Sequence, residues 1–167
     1  MRMKQKGESC MRVLVLSDSH GSARRMRAVL EKEADCGVVF FLGDGLNDLE
    51  RVRKDFPDRT FVAVCGNNDW GSEYTSYDDF AYKYLEGHTI IATHGHRVAV
   101  RFTLTDLLAK AQGVMADVAL YGHTHRQNTE TRAGVLFVNP GALCDGKYAV
   151  LDLTETQTNV QFCQCTF

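Results

Sequence analysis

No apolar run in the sequence exceeds five residues, the stretch 38–42 being one, whereas about 20 are needed to cross a bilayer as a helix. A membrane protein is therefore not expected. Neither charge dominates: 19 Lys and Arg stand against 21 Asp and Glu, a formal net charge of -2, which argues against a polybasic nucleic-acid binder. No Cys-x-x-Cys spacing occurs among the six cysteines, and the apolar stretch 13–16, after the basic residues Arg2, Lys4 and Lys6, is too short for a secretory signal core. A disulfide framework is thus not expected, and a reducing, cytoplasmic location is. Repeats, low-complexity tracts and linkers are also lacking. What remains is a chain of 167 residues, 44% hydrophobic, long enough to bury roughly 70% of its unfolded surface in one domain. That domain is expected over 11–167, with residues 1–10 as a flexible polar extension.

The apolar pattern begins as alternating strands and helices. Strands are predicted over 12–17, 37–42 and 60–65, with helices over 22–34, where Met26, Val29 and Leu30 share a face, and over 46–56, stopped by Pro57. This order implies parallel strands joined by right-handed crossovers. After a polar loop over 71–79, a hairpin is predicted from 80–85 and 89–93, turning at Glu86-Gly87-His88. Leu104, Leu107, Leu108, Ala111 and Met115 mark a further helix face, and a strand follows over 117–121. From Asn128 onward three or four short strands form a closing meander. The expected class is α/β, a four-layer α-β-β-α sandwich of two mixed sheets. Cys163 and Cys165 are read as two side chains on one face of the last strand.

Polar residues cluster where the strands end, at the carboxyl edges where open α/β sheets bind ligands. The clusters are Asp18-Ser19-His20, Gly43-Asp44-Gly45, Gly66-Asn67-Asn68-Asp69, Thr93-His94-Gly95-His96 and Gly122-His123-Thr124-His125. Five of the six histidines fall in them, and only His88 is left over. Each cluster alone has a plain structural reading: a helix-terminal carboxylate, a tight turn, a loop cap or a satisfied histidine. One chemical demand explains all five together, a pair of adjacent divalent cations held by imidazole nitrogen and carboxylate or amide oxygen. That donor set suits manganese first, with iron, zinc, nickel or cobalt also fitting, and the clusters contain no cysteine to favour a thiolate site. Asp44 can bridge two ions ~3.5–4 Å apart, and a centre with residual positive charge attracts a phosphate.

In this order the motifs D-x-H, G-D, G-N-x-D, G-H and G-H-T-H resemble the calcineurin-like metallophosphoesterase family over about residues 12–153. Asn139-Pro140-Gly141-Ala142 is similar to a turn of that family's small, compact branch. The resemblance implies the same sandwich and a phosphodiesterase, active also on monoesters, in which a hydroxide shared by two ions attacks phosphorus. It implies one metal on Asp18, His20, Asp44 and His125, and a second on Asp44, Asn67, His94 and His123. His96 would contact substrate phosphate or help hold the site. One position departs: larger members place a histidine, a proposed acid for the leaving group, where this chain has Asn68, and an amide cannot act as that acid. Asn68 could still hydrogen-bond a phosphate oxygen. Asp69 is read either as support for a ligand loop or as a plain loop acid.

The expected partner is a small phosphoester, and a homo-oligomer is compatible with the sequence. Arg24, Arg25 and Arg27 are the candidates for nucleic-acid phosphate contacts, against a solvated helix face. Arg97 and Arg101 could reach a second substrate group, and Trp70, Tyr74 and Tyr77 could stack on a ring or anchor their loop. The alternative function is a metal-binding scaffold of the same fold acting through protein contacts. Against it, all seven ligand positions carry competent ligand types.

Overall fold

The computed structural model describes residues 9–166. Apart from Ser9 and Cys10, the expected extension lies outside the described residues.

Period-two alternation in the strands builds the layers. In β1 (Met11–Leu16), Leu14 and Leu16 face one side and Val13 and Val15 the other, all fully buried. The same split recurs in β2 (Val38–Phe41), with Val39 and Phe41 opposite Phe40, and in β9 (Lys147–Leu153), with Tyr148 and Val150 opposite Ala149 and Leu151. The first set packs under α1 (Ala23–Lys32) and α2 (Leu46–Val52), receiving Met26, Val29 and Leu30 from one helix and Leu46, Leu49 and Val52 from the other. The second set meets Ile90 and Ala92 of β5 (His88–Thr93), Val118 and Leu120 of β6 (Val118–Tyr121) and Val138 of β8 (Val135–Pro140). The other face of that second sheet presents Ile91, Ala119, Tyr121 and Phe137 to Leu107 and Ala111 of α3 (Thr105–Gly113). Three apolar layers thus separate helix, sheet, sheet and helix. Fully burying each such side chain contributes roughly 1.5–3 kcal/mol.

With β3 (Thr60–Ala63), β4 (Phe80–Leu85), β7 (Gln127–Arg132) and β10 (Thr158–Gln164), the sheet orders are β10-β9-β1-β2-β3 and β4-β5-β6-β8-β7. In the first sheet β1, β2 and β3 are parallel and β9 and β10 antiparallel to their neighbours. In the second, β5, β6 and β8 are parallel and flanked by antiparallel β4 and β7. Both are mixed, as expected. The carboxyl ends of their parallel strands open on one rim.

Several local expectations need correction. The closing strands are not one meander: β7 and β8 join the second sheet and β9 and β10 the first. The helix expected over 46–56 ends at Val52, and a 3-10 turn, Arg53–Asp55, carries the chain to Pro57. The third helix stops at Gly113; Met115, expected on its apolar face, is 86% exposed in a left-handed turn. The hairpin turns on Glu86 and Gly87 alone, both at positive φ as a two-residue loop requires, and His88 already pairs with Leu85 inside the ladder. Cys165 and Cys163 do pack against the same helix-side core, and all six cysteines are free thiols.

Candidate metal centre

Each expected ligand sits one to four residues beyond the end of a parallel strand. Asp18 and His20 follow β1, Asp44 follows β2, Asn67 follows β3, His94 follows β5, and His123 and His125 follow β6. The structure brings all seven to the shared rim. Five of them, Asp18, His20, Asp44, His123 and His125, adopt positive φ, and only four other non-glycine residues among those described do so. Left-handed backbone at a residue with a Cβ is unfavourable and concentrates at functional sites. Here it turns the chain sharply at the strand end, so that the side chains point back into the rim.

Each of the two carboxylates has one oxygen pinned and one turned inward. Asp18 Oδ2 accepts from Ser17 Oγ and from the His123 backbone N–H at 3.1 Å. Its Oδ1 faces His125 Nε2 at 3.1 Å, His20 Nε2 at 3.5 Å and His94 Nε2 at 4.0 Å. Asp44 Oδ1 accepts from the Asn68 backbone N–H at 2.8 Å. Its Oδ2 lies 3.4 Å from His94 Nε2 and 3.7 Å from His20 Nε2, and accepts from Asn68 Nδ2 at 2.7 Å. Asp44 Oδ2 therefore sits between two histidine pairs. In one, His20 Nε2 and His125 Nε2 are 3.3 Å apart; in the other, His94 Nε2 is 3.2 Å from His123 Nδ1 and 3.0 Å from Asn67 Oδ1.

This set fits divalent cations because it is rich in acceptors. The His94 Nδ1–H donates to the Leu42 carbonyl at 2.7 Å, which fixes the tautomer and leaves Nε2 with a lone pair in the neutral ring. That lone pair faces carboxylate, amide oxygen and a second imidazole, an arrangement that only a proton or a metal ion can satisfy. The electrostatics agree. Burial alone would lower the pKa of His94, but the Asp44 and Asp18 carboxylates more than offset it and raise it. Burial would raise Asp44, yet contact with His94 and Asn68 holds its carboxyl far below the usual range. Burial and the neighbouring His94 push His123 down to about 4, so that its ring is neutral at pH 7. A carboxylate that stays ionised at Asp44 and an imidazole that stays neutral at His123 are the states metal binding requires. Asp18 with His20 and His125, and Asp18 with Asp44 and His94, each bring their donor atoms within 4.8 Å of one another.

Asn68 donates one side-chain N–H to Asp44, which leaves its second N–H for a phosphate oxygen. His96 stacks beside His94 and His123, with ring centroids 5.5 and 6.3 Å away, and its buried Nδ1 has no hydrogen-bond partner among the described residues. Burial and His94 lower its pKa too. Asp69 is decided as loop support: its carboxylate accepts from the backbone N–H groups of Asp44, Gly45, Leu46 and Gly66. Arg27 pairs with Asp55, and Arg25 donates to the Cys144 carbonyl, beside the loop of Asp18, so two of the three helix arginines are engaged. Arg97 pairs with Asp79. Tyr77 bonds Glu50 and Arg53, and Tyr74 packs on the helix-side core, so both anchor their loop; Trp70 stays 79% exposed beside His20 and Asn68.

Two positioning residues escaped the sequence reading. Buried Asp48 accepts from Ser19 Oγ at 2.6 Å and Gly21 N at 2.9 Å, fixing the loop that carries Asp18 and His20. Buried Asn139 donates to the Gly122 carbonyl at 3.0 Å and to Thr124 Oγ1 at 2.9 Å, fixing the loop of His123 and His125. Only the resemblance of its Asn-Pro-Gly turn flagged Asn139; nothing local flagged Asp48. Close backbone approach also matters: a Cβ on Gly66 would strike the Asp44 carboxylate, and one on Gly122 would strike Ser17 and Asp18.

An acceptor-rich rim at the carboxyl ends of two packed sheets marks a hydrolase that works with divalent metal. Comparison with known proteins makes the class specific. Residues 11–156 match the family model of the calcineurin-like phosphoesterase superfamily domain. A probable metallophosphoesterase of Bacillus subtilis, YsnB, is 28% identical over 159 residues, covering 91% of this chain and 90% of that one. A probable metallophosphoesterase of Mycoplasma pneumoniae is 36% identical over 138 residues, 79% of each chain. A solved structure from Streptococcus pneumoniae, a conserved protein described as a predicted phosphoesterase, superposes with a TM-score of 0.77 at 28% identity, over 93% of this chain and 90% of that one. The chain belongs to the calcineurin-like phosphoesterase superfamily, and it is a metal-dependent phosphoesterase. No helix among the described residues is long and apolar enough to cross a membrane.

Proposed function

We propose that this protein hydrolyses small phosphodiesters, and monoesters as well, at a centre of two divalent metal ions. Manganese is the first candidate for both positions. Asp18, His20, Asp44 and His125 would hold one ion, and Asp44, Asn67, His94 and His123 the other. The observation that carries this reading is the position of Asp44 Oδ2, within 3.4 and 3.7 Å of one imidazole from each set. When bound, such a pair supplies an activated water and an electrophilic clamp on the phosphoryl oxygens. The protein's own part is positioning. Asn68 holds the Asp44 carboxylate in place from two donors, Asp69 fixes the backbone beneath it, and Asp48 and Asn139 do the same for the two histidine loops. His96, kept neutral by burial and by His94, can offer a substrate oxygen one hydrogen bond without titrating near pH 7.

The test is metal content by elemental analysis together with hydrolysis of bis(4-nitrophenyl) phosphate. The purified protein supplied with manganese should bind two ions per chain and turn over the diester. Asp44→Ala and His94→Ala should each lose most of the activity and at least one ion. Two bound ions and near-full activity in either variant would overturn the ligand assignment.

A further inference from the structure

The rim is electrically lopsided. On the side of His20, the cavity that includes Asn68 and Trp70 is bordered by Asp44, Asp48 and Asp69. On the side of His125 lies a larger cavity, about 590 Å³, bordered by Arg101 and Arg126 with Tyr121, Thr124 and Asn128, and no acidic side chain lines it. Arg126 directly follows His125, and Arg101 lies in the loop after His94-Gly95-His96, so the two guanidinium groups enter from the chain segments that carry the expected ligands. Arg101 reaches the His123 carbonyl only at 3.5 Å. Among the described residues Arg126 has no side-chain hydrogen bond, and neither arginine has a carboxylate within ion-pair distance. Arg12, Arg27, Arg53, Arg97 and Arg132 are each paired with a carboxylate; Arg101 and Arg126 differ from the other arginines outside such pairs in bordering one cavity that has no acidic side chain.

Two solvent-exposed guanidinium groups beside an acid-free cavity are free to take an anion, and their planar donor forks suit phosphate or carboxylate oxygens. We infer that the cavity of Arg101 and Arg126 binds a second anionic group of the substrate while the scissile phosphate occupies the rim between the two histidine pairs. The preferred substrate is then a phosphoester bearing a further phosphate, such as a terminally phosphorylated nucleotide diester, in place of a singly charged diester. The inference rests on the phosphoesterase reading for its scissile group, but the anion site itself does not need catalysis.

A matched pair of probes tests it: thymidine 3′-(4-nitrophenyl phosphate) with and without a 5′-phosphate. With metal supplied, the 5′-phosphate should raise kcat/KM at least about tenfold in the wild-type protein. In Arg101→Ala/Arg126→Ala, and in Arg126→Ala alone to a lesser degree, that ratio should fall toward one. Arg126→Ala has no side-chain hydrogen bond to lose, so it separates anion binding from any disturbance of the His123 loop. In parallel, thymidine 3′,5′-bisphosphate titrated calorimetrically into metal-free protein should bind the double variant at least fivefold more weakly than the wild type. Equal rates on the two esters in wild-type protein, or a preference that survives in the double variant, refutes the second-anion site and leaves the phosphoesterase intact. No hydrolysis of either ester, with bisphosphate binding that still depends on the arginines, refutes the proposed phosphodiesterase reading and keeps the site.

Discussion

Asp69 offers the most exacting check on how the centre is built, because it is not an expected ligand yet holds the loop that carries one. Its Oδ1 accepts from Gly45 and Leu46 N–H at 2.9 Å each, and its Oδ2 from Asp44 and Gly66 N–H at 2.8 Å each. A hydrogen bond to a charged group contributes roughly 1.5–3 kcal/mol, but four on one carboxylate are not independent, and water can reach part of the loop. Removing the carboxylate should therefore cost about 3–5 kcal/mol, less than the sum of four such bonds. Set against a total stability of roughly 5–15 kcal/mol, that is a large fraction. At about 2–4 °C per kcal/mol for a chain of this size, Asp69→Ala should lower the melting temperature by roughly 6–20 °C.

Asp69→Asn discriminates further. An amide has one acceptor oxygen, so it can keep one pair of N–H groups and must turn its own N–H₂ toward the other pair. It should be at least as damaging as alanine, although it is nearly isosteric. The assay is thermal unfolding followed by circular dichroism in chelator, so that metal binding does not mask the loss, with the exposed residue Asp58→Ala as a control expected within about 0.5 kcal/mol of wild type. Metal affinity should fall about 10–100-fold in both Asp69 variants, since the loop of Asp44 is no longer held. A melting temperature within 2 °C of wild type in Asp69→Asn, with undiminished metal affinity, would show that the loop holds its shape without this carboxylate.

Two further outcomes follow from the same geometry. His88 is buried, with Nδ1 2.6 Å from Asp117 Oδ2 and Nε2 2.8 Å from the Thr154 carbonyl; burial lowers its pKa, but these two acceptors outweigh it and raise it. A raised folded-state value means that its contribution is complete below the unfolded pKa of about 6.5 and is lost as pH climbs through the folded value. Urea unfolding should show wild type exceeding His88→Gln by about 1 kcal/mol more at pH 5.5 than at pH 9, the modest figure reflecting half-exposed Asp117; a pH-independent difference would mean that His88 is not charged in the folded state. Gly122→Ala places a methyl group against Ser17 and Asp18, and isothermal titration with manganese should show affinity reduced at least tenfold while circular dichroism reports an intact fold; unchanged affinity would show that the Asp18 loop can move aside.

How far the sequence revealed this protein depended on whether a feature is local. Strand alternation in Leu14 and Leu16 against Val13 and Val15, and the helical spacing of Met26, Val29 and Leu30, express the side-chain period directly, so the layers could be read. The expected ligands could also be read, because a strand's end is visible as the close of an apolar run and each motif lies just beyond it. The partner of β9 could not, since pairing with β1 is set by contacts more than a hundred residues away in the chain, and β10 follows β9 into that sheet as a hairpin. The same holds for Asp48: only the folded chain shows that a carboxylate in the first turn of α2 meets Ser19 and Gly21. His88, set aside as a turn residue, joins Asp117 and Thr154 across two further elements for the same reason. Met115 misled because its spacing continues the helical face, whereas Gly113 and the left-handed backbone at Met115 end the helix first.

The distribution of strain separates a functional rim from a merely polar one. Left-handed backbone at a residue with a Cβ costs roughly 1–2 kcal/mol, although Asp and His tolerate it better than most. Glycine would remove that cost at any of the five strained positions, and the chain already uses glycine beside them at Gly43, Gly45 and Gly122. Substituting glycine would, however, remove the side chain that points into the rim. The same residues also bring the oxygens of buried Asp18 and Asp44 within 3.1–3.7 Å of imidazole nitrogens, a second cost. A fold under selection for stability alone would relax both. Their coincidence at Asp18, His20, Asp44, His123 and His125 is what a cation that binds the folded chain and not the unfolded one would offset.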